Sequence, residues 1–225
     1  MKNLLTILLF SLSSLSLQAQ SDLFEIGFFL GGSSMGGDLV ESNFGSVNEI
    51  NGAYGLMIRR YFNTNMAVRV SALTTKLTSQ DRHFDRYGGQ VFISETPVIE
   101  FSADFEYDIL GHQRNWQGNG GKVSPYVFIG VGAALTDPML TYDFESEDIM
   151  LDETADVSKT RFIVPFGVGG RYNFSSKGTI ALEFSARPTF SDYLDGVSLA
   201  GNPGKNDWYG FGSVQFWFKL SGKKY

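Results

Sequence analysis

His83 stands between Asp81 and Asp85 in the run Asp81-Arg-His-Phe-Asp, a spacing in which a carboxylate could orient an imidazole as a general base. Acyl transfer or hydrolysis also needs a nucleophile and an oxyanion site, and no Ser or other nucleophile here has a motif around it. His112 falls in a link between strands and is a poorer candidate. No catalytic residue is therefore expected, and the chain is expected not to be an enzyme. A second cluster, Asp137, Asp143, Glu145, Glu147, Asp148, Asp152, Glu153 and Asp156, precedes Lys159 with no intervening Lys or Arg. Calcium uses such oxygens, but the spacing matches no EF-hand loop, so a solvated acidic loop without a metal is expected. Phe166-Gly-Val-Gly-Gly begins like a dinucleotide fingerprint. No helix signal follows it, so these glycines are expected to make room for close packing, and no cofactor is expected. The remaining charged chemistry is ion pairing: Arg59, Arg69, Arg171 and Arg187 with Glu100, Asp104, Glu106 and Glu183. What those groups do depends on the elements that carry them.

Composition narrows those elements. The chain has 225 residues, 18 Lys plus Arg against 24 Asp plus Glu, 26 Gly and no Cys. That length supports one sizeable domain or at most two small ones. The lack of Cys excludes a disulfide scaffold, a thiolate metal site and a lipoprotein acylated on Cys. The negative balance argues against a nucleic-acid partner. Abundant Gly and 15% aromatic residues, with only 19% charged, favour short strands joined by turns. Lys2, the apolar run 4–17 and the small Ala19 read as a signal peptide over residues 1–19, leaving 20–225 as one exported domain. The run is shorter than the ~20 residues a spanning helix needs.

From Phe24 onward the dominant period is two. Segments 24–34, 53–62, 66–78, 92–110, 124–135, 160–174, 179–190 and 208–220 read as eight strands. The fourth shows the pattern best: Ile99, Phe101, Ala103, Phe105 and Tyr107 point one way, and Glu100, Ser102, Asp104, Glu106 and Asp108 the other. Alternation alone fits both a soluble lipocalin-like barrel and an inverted, outer-membrane one. Connection lengths favour the second. Short links at 63–65 and 175–178 alternate with long ones at 35–52, 79–91, 136–159 and 191–207, while 111–123 is too long for a tight periplasmic turn. Aromatics near strand ends (Tyr54, Tyr61, Phe62, Tyr107, Tyr126, Tyr172, Phe174, Trp208, Tyr209, Trp217, Phe218) read as interfacial girdles. The expected fold is all-β, an eight-stranded antiparallel transmembrane barrel of OmpX or OmpA size in the outer membrane. Its lumen would be filled by the eight ionic residues above.

The stretches Glu25-Ile-Gly-Phe-Phe-Leu-Gly-Gly-Ser, Tyr54-Gly-Leu-Met-Ile-Arg-Arg-Tyr-Phe-Asn, Ser124-Pro-Tyr-Val-Phe-Ile-Gly-Val-Gly, Val164-Pro-Phe-Gly-Val-Gly-Gly-Arg-Tyr-Asn and Arg187-Pro-Thr-Phe-Ser-Asp-Tyr-Leu-Asp-Gly-Val-Ser resemble the small outer-membrane barrels of Bacteroidota, the PorG-like family. The resemblance covers nearly the whole mature chain, and the run from Arg187 is its most specific part. It implies a barrel in contact with outer-membrane lipid and a role beside the periplasmic ring proteins of type IX secretion. A surface protein of the OmpX kind is the alternative, and a lipid-modifying enzyme a more distant one. Asp192, Tyr193 and Asp195 fall where the seventh strand leaves the membrane. They could form a docking loop for a partner, or an Asp-rich turn whose side chains bond their own backbone.

Overall fold

The computed structural model describes residues 23–36, 49–81, 92–111, 123–142, 158–175, 177–191, 193–194, 196 and 206–220. Segment 1–19, both histidines and most of the acidic loop lie outside the described residues.

Alternating apolar and polar side chains make the described chain a succession of strands. They are β1 (Leu23–Gly36), β2 (Asn51–Tyr61), β3 (Met66–Asp81), β4 (Phe92–Asp108), β5 (Val123–Thr136), β6 (Met139–Tyr142), β7 (Thr160–Ile163), β8 (Phe166–Asn173), β9 (Gly178–Pro188) and β10 (Trp208–Lys219). All pairings are antiparallel: β1 to β5 pair in chain order, β5 pairs with β8, β8 to β10 pair in order, and β10 returns to pair with β1 from Glu25–Lys219 to Gly36–Trp208. β6 continues β5 along β4, and β7 leads into β8 along β5. The result is a closed eight-stranded antiparallel barrel.

Two of the eight walls are interrupted where proline removes a backbone donor. Between the pairs Val98–Thr136 and Glu95–Met139 stand Pro97 and Pro138, neither with an N–H to give to the ladder. The register resumes unchanged beyond them, so the strand expected to end at 135 in fact runs to Tyr142. Val164 and Pro165 separate β7 from β8, and Gly130 N donates to the Pro165 carbonyl at 2.7 Å across the gap.

The apolar set faces outward. Leu56 is 62% exposed, Phe101 54% and Phe184 69%, while Glu100, Asp104 and Glu106 on the opposite face are at most 1% exposed. Water would not leave this arrangement in place; hydrocarbon does, because a closed barrel satisfies every backbone group in its own ladder. From Ile99 to Ile109 the outward band covers about 33 Å of strand, which a tilt of about 40° reduces to about 25 Å of height. Charge reappears outside the band: Lys76 meets Glu95 at 2.7 Å and Lys159 meets Asp137 at 2.7 Å, both pairs solvent-exposed. The tight turn 62–65 lies at one mouth with both ends of the wall and with Ser175, whose N–H donates to the Gly178 carbonyl at 3.2 Å. Where the short link 63–65 was expected, Asn65 Nδ2 donates to the Asp108 carbonyl at 2.7 Å.

Four of the expected girdle aromatics are not on the outside. Tyr61, Tyr126, Tyr209 and Trp217 are 5%, 1%, 0% and 1% exposed and point into the bore. Period two requires this, since Tyr61 shares the face of Arg59, and Trp217 opposes Phe216 and Phe218. Tyr54, Phe62, Tyr107, Tyr172, Phe174 and Phe218 do stand exposed on the outer wall.

Candidate functional site: the filled lumen

At the short-turn end the bore is ionic. Strand β2 carries Arg59, whose guanidinium meets Glu25 at 3.0 Å and Glu106 at 2.7 Å. Strand β3 carries Arg69, which reaches Asp104 at 3.0 Å, Glu106 at 3.2 Å and Glu183 on the far wall at 2.6 Å. Strand β8 carries Arg171, which pairs with Glu106 and, at 3.2 Å, with Asp108. Three cations therefore share Glu106. Further along the bore, Arg187 of β9 meets Glu100 at 3.2 Å. Hydroxyls complete the carboxylates: Tyr126 donates to Glu183 at 2.6 Å, Tyr209 to Glu100 at 2.7 Å, and Ser124 to Asp108.

Each of these arginines also lies over a ring. Arg59 is 3.6 Å from the Trp217 centroid, Arg171 3.6 Å from Tyr126, Arg69 4.4 Å from Phe128 and Arg187 4.4 Å from Phe211. The planar guanidinium suits this double duty, with its edge in the carboxylates and its face on an aromatic, where a lysine would serve neither as well. Glycine makes room for the rings. A Cβ at Gly169 would fall 2.4 Å from Tyr126, and one at Gly27 2.6 Å from Trp217.

At the long-loop end the bore mixes apolar side chains with neutral hydroxyls such as Ser33, Thr75, Ser79 and Thr96. Phe29, Met35, Leu73, Leu77, Val98, Ala134 and Ile163 are buried there. The chain leaving β9 turns in over them: Leu194 is 0% exposed. Its N–H donates to Asp207 at 2.9 Å, and its carbonyl accepts from Thr96 at 3.0 Å. Arg161 donates to the Tyr193 carbonyl at 3.0 Å. Thr189 N and Oγ1 both donate to the Asp207 carbonyl, at 3.1 and 2.8 Å. Gly196, at φ +80, supplies the left-handed turn beside Pro138 and Leu140. Tyr193 and Leu194 are thus held over the bore by hydrogen bonds to Thr96, Arg161 and Asp207.

All eight residues expected to form the lumen network, Arg59, Arg69, Glu100, Asp104, Glu106, Arg171, Glu183 and Arg187, are buried in the bore. Glu25 and Asp108 belong with them and were legible from the same alternation, as were the ring partners Tyr126, Phe128, Phe211 and Trp217. Leu194 was not, because an apolar residue between two aspartates in a turn carries no periodic signal. Of the suggested docking residues, Tyr193 is half-buried with its carbonyl committed to Arg161, and Asp192 and Asp195 lie outside the described residues. Among the described residues, no group of three or more His, Cys, Asp or Glu is placed to hold a metal ion.

A model of the family described as "Domain of unknown function (DUF6089)" matches residues 2–224. No curated protein matches the chain. Among solved structures it is similar to the N-terminal β-barrel domain of Pseudomonas aeruginosa OprF, at 10% identity over 89% of this chain and 100% of that one, TM-score 0.45. It is similar to Neisserial surface protein A, at 13% identity over 88% and 97%, TM-score 0.47. It is likewise similar to a major outer membrane protein from Thermus thermophilus, at 12% identity over 88% and 99%, TM-score 0.46.

Proposed function

The chain belongs to the DUF6089 family, a domain of unknown function, and from that premise we propose that it is a non-enzymatic, non-conducting outer-membrane barrel that works through protein contacts as an accessory of type IX secretion. The observation that carries the non-conducting part is the bore itself. Arg59, Arg69, Arg171 and Arg187 are each tied to carboxylates and a ring, and Leu194 is buried toward the far mouth. A passage for ions or solutes would need those pairs broken in a low-dielectric interior, at several kcal/mol each by order of magnitude. With the interior committed to holding shape, the surfaces left to act are the rims and the outer wall.

The secretion role is supported by the sequence resemblance to PorG-like barrels, above all in the run from Arg187. Its natural partners are periplasmic secretion-ring proteins, met at the short-turn mouth. Affinity isolation from membranes tests this: recovery of ring proteins is expected, and normal export of type IX cargo after deletion of the gene and its paralogues would refute it. Planar-bilayer recording of the refolded barrel is expected to show no stable channel.

A second reading, a surface protein of the OmpX kind, is favoured by one observation. Strands β3 and β4, 16 and 17 residues long, pair as far as Asp81–Phe92, well beyond the level of the Lys76–Glu95 pair, and β6 adds a third strand there. Recovery of the barrel alone, with cell adhesion lost on shortening this extension, would favour that reading.

A further inference from the structure

The outer wall is not uniformly covered by side chains. Near the long-loop mouth, Gly32 of β1 pairs with Gly212 of β10, Ser34 pairs with Gly210, and Gly210 pairs with Ala186 of β9. These outward positions form a patch of almost bare backbone across three strands. Phe184 and Phe166 border it on one side, Trp208 and Phe190 stand at its loop end, and Ile50 lies over Gly32. The slot has a volume of about 940 Å³, at the upper end of the range of small-molecule sites, roughly 300–1,000 Å³.

One of the glycines is not demanded by the fold. Neither Gly210 nor Gly212 has a positive φ, but a Cβ at Gly210 would fall 3.1 Å from the Ser185 carbonyl oxygen, a tight approach, whereas one at Gly212 would meet only the Phe184 ring at 3.4 and 3.6 Å, an ordinary contact. This differs from Gly27 and Gly169, where a Cβ would collide with a lumen ring. Glycine inside a strand weakens it, so a glycine that packing does not need points to something approaching the backbone closely. On the slot floor, Ser34 Oγ has no hydrogen-bond partner among the described residues.

We infer that this slot holds one acyl chain of an outer-leaflet bilayer lipid, lying along Gly210 and Gly212 between Phe184 and Trp208, with its ester carbonyl accepting from Ser34 Oγ. The inference rests on the membrane-embedded reading above. The slot is continuous with the hydrocarbon-facing band, so a chain enters sideways from the bilayer without crossing water. Its aromatic walls suit a methylene chain, and the Ser34 hydroxyl sits at the end nearest the headgroups.

The test is native mass spectrometry of the mature barrel refolded into palmitoyl-oleoyl phosphatidylethanolamine and phosphatidylglycerol vesicles and extracted in mild detergent. One phospholipid per barrel is expected to stay bound, with retention cut at least about tenfold by Gly212→Leu and several-fold by Ser34→Ala. Val70→Leu, elsewhere on the outer wall, should retain it. Should Gly212→Leu fail to insert, Gly212→Ala and Ser34→Ala carry the test. Equal retention in the slot variants, absence of lipid on a correctly inserted wild-type barrel, or preferential retention of added free palmitate would each overturn the inference. Insertion is scored separately by protease protection, so a wild-type barrel that does not enter vesicles counts against the membrane reading instead.

Discussion

The two halves of the bore solve one problem by different means. Near the short turns, Arg59, Arg69 and Arg171 converge on Glu106, and each guanidinium meets at least one further carboxylate. Near the long loops, Leu73, Leu77, Val98, Ile163 and Leu194 fill the bore among hydroxyls such as Ser33, Thr75 and Thr96. Both halves are filled by residues of the same strand parity, so alternation decides what faces inward without deciding its chemistry. The difference teaches where tolerance lies. An apolar core loses a methylene at modest cost, whereas a charge network that loses one member strands the others.

That contrast can be broken at Arg69 first. Arg69→Ala leaves Asp104, Glu106 and Glu183 without a shared cation, and a loss of about 3–5 kcal/mol in urea unfolding from vesicles is expected. A loss under about 1 kcal/mol would mean that water replaces the guanidinium and that the ionic half is as forgiving as the other. Leu194→Ala should cost somewhat less, about 3 kcal/mol by cavity formation. It should also raise hydrogen exchange at the β3–β4 end, leaving the amides of β8 protected. Gly169→Ala pushes a methyl into Tyr126 and is expected to cost about 2 kcal/mol by overpacking. Its mark should be a changed near-ultraviolet tyrosine signal. Lys76→Ala removes an ion pair that water already screens, and a change below about 1 kcal/mol is expected. The distance between the Arg69 and Lys76 outcomes measures what burial adds to a charge on a single strand.

Most of the wall was legible because a hydrocarbon exterior and a polar interior enforce period two along β3, β4 and β9. Where the reading failed, it weighed position along the strand above parity. Tyr126 and Trp217 lie near strand ends, as girdle residues do, yet their neighbours Val127 and Phe218 show which face they occupy. The strand beyond Asp137 was missed because Asp-Pro reads as a stop, although a ladder loses only one donor to a proline and then resumes. Leu194 was beyond sequence reasoning. Its burial depends on Thr96, Arg161 and Asp207, which are brought together by closure of the sheet and by no local pattern.

Arg69 has one further consequence. Counting around the ring, β3 and β9 stand opposite each other, so its 2.6 Å contact with Glu183 is a spoke across the full width of the hoop. A hoop braced in this way resists being squeezed oval when bilayer lateral pressure changes.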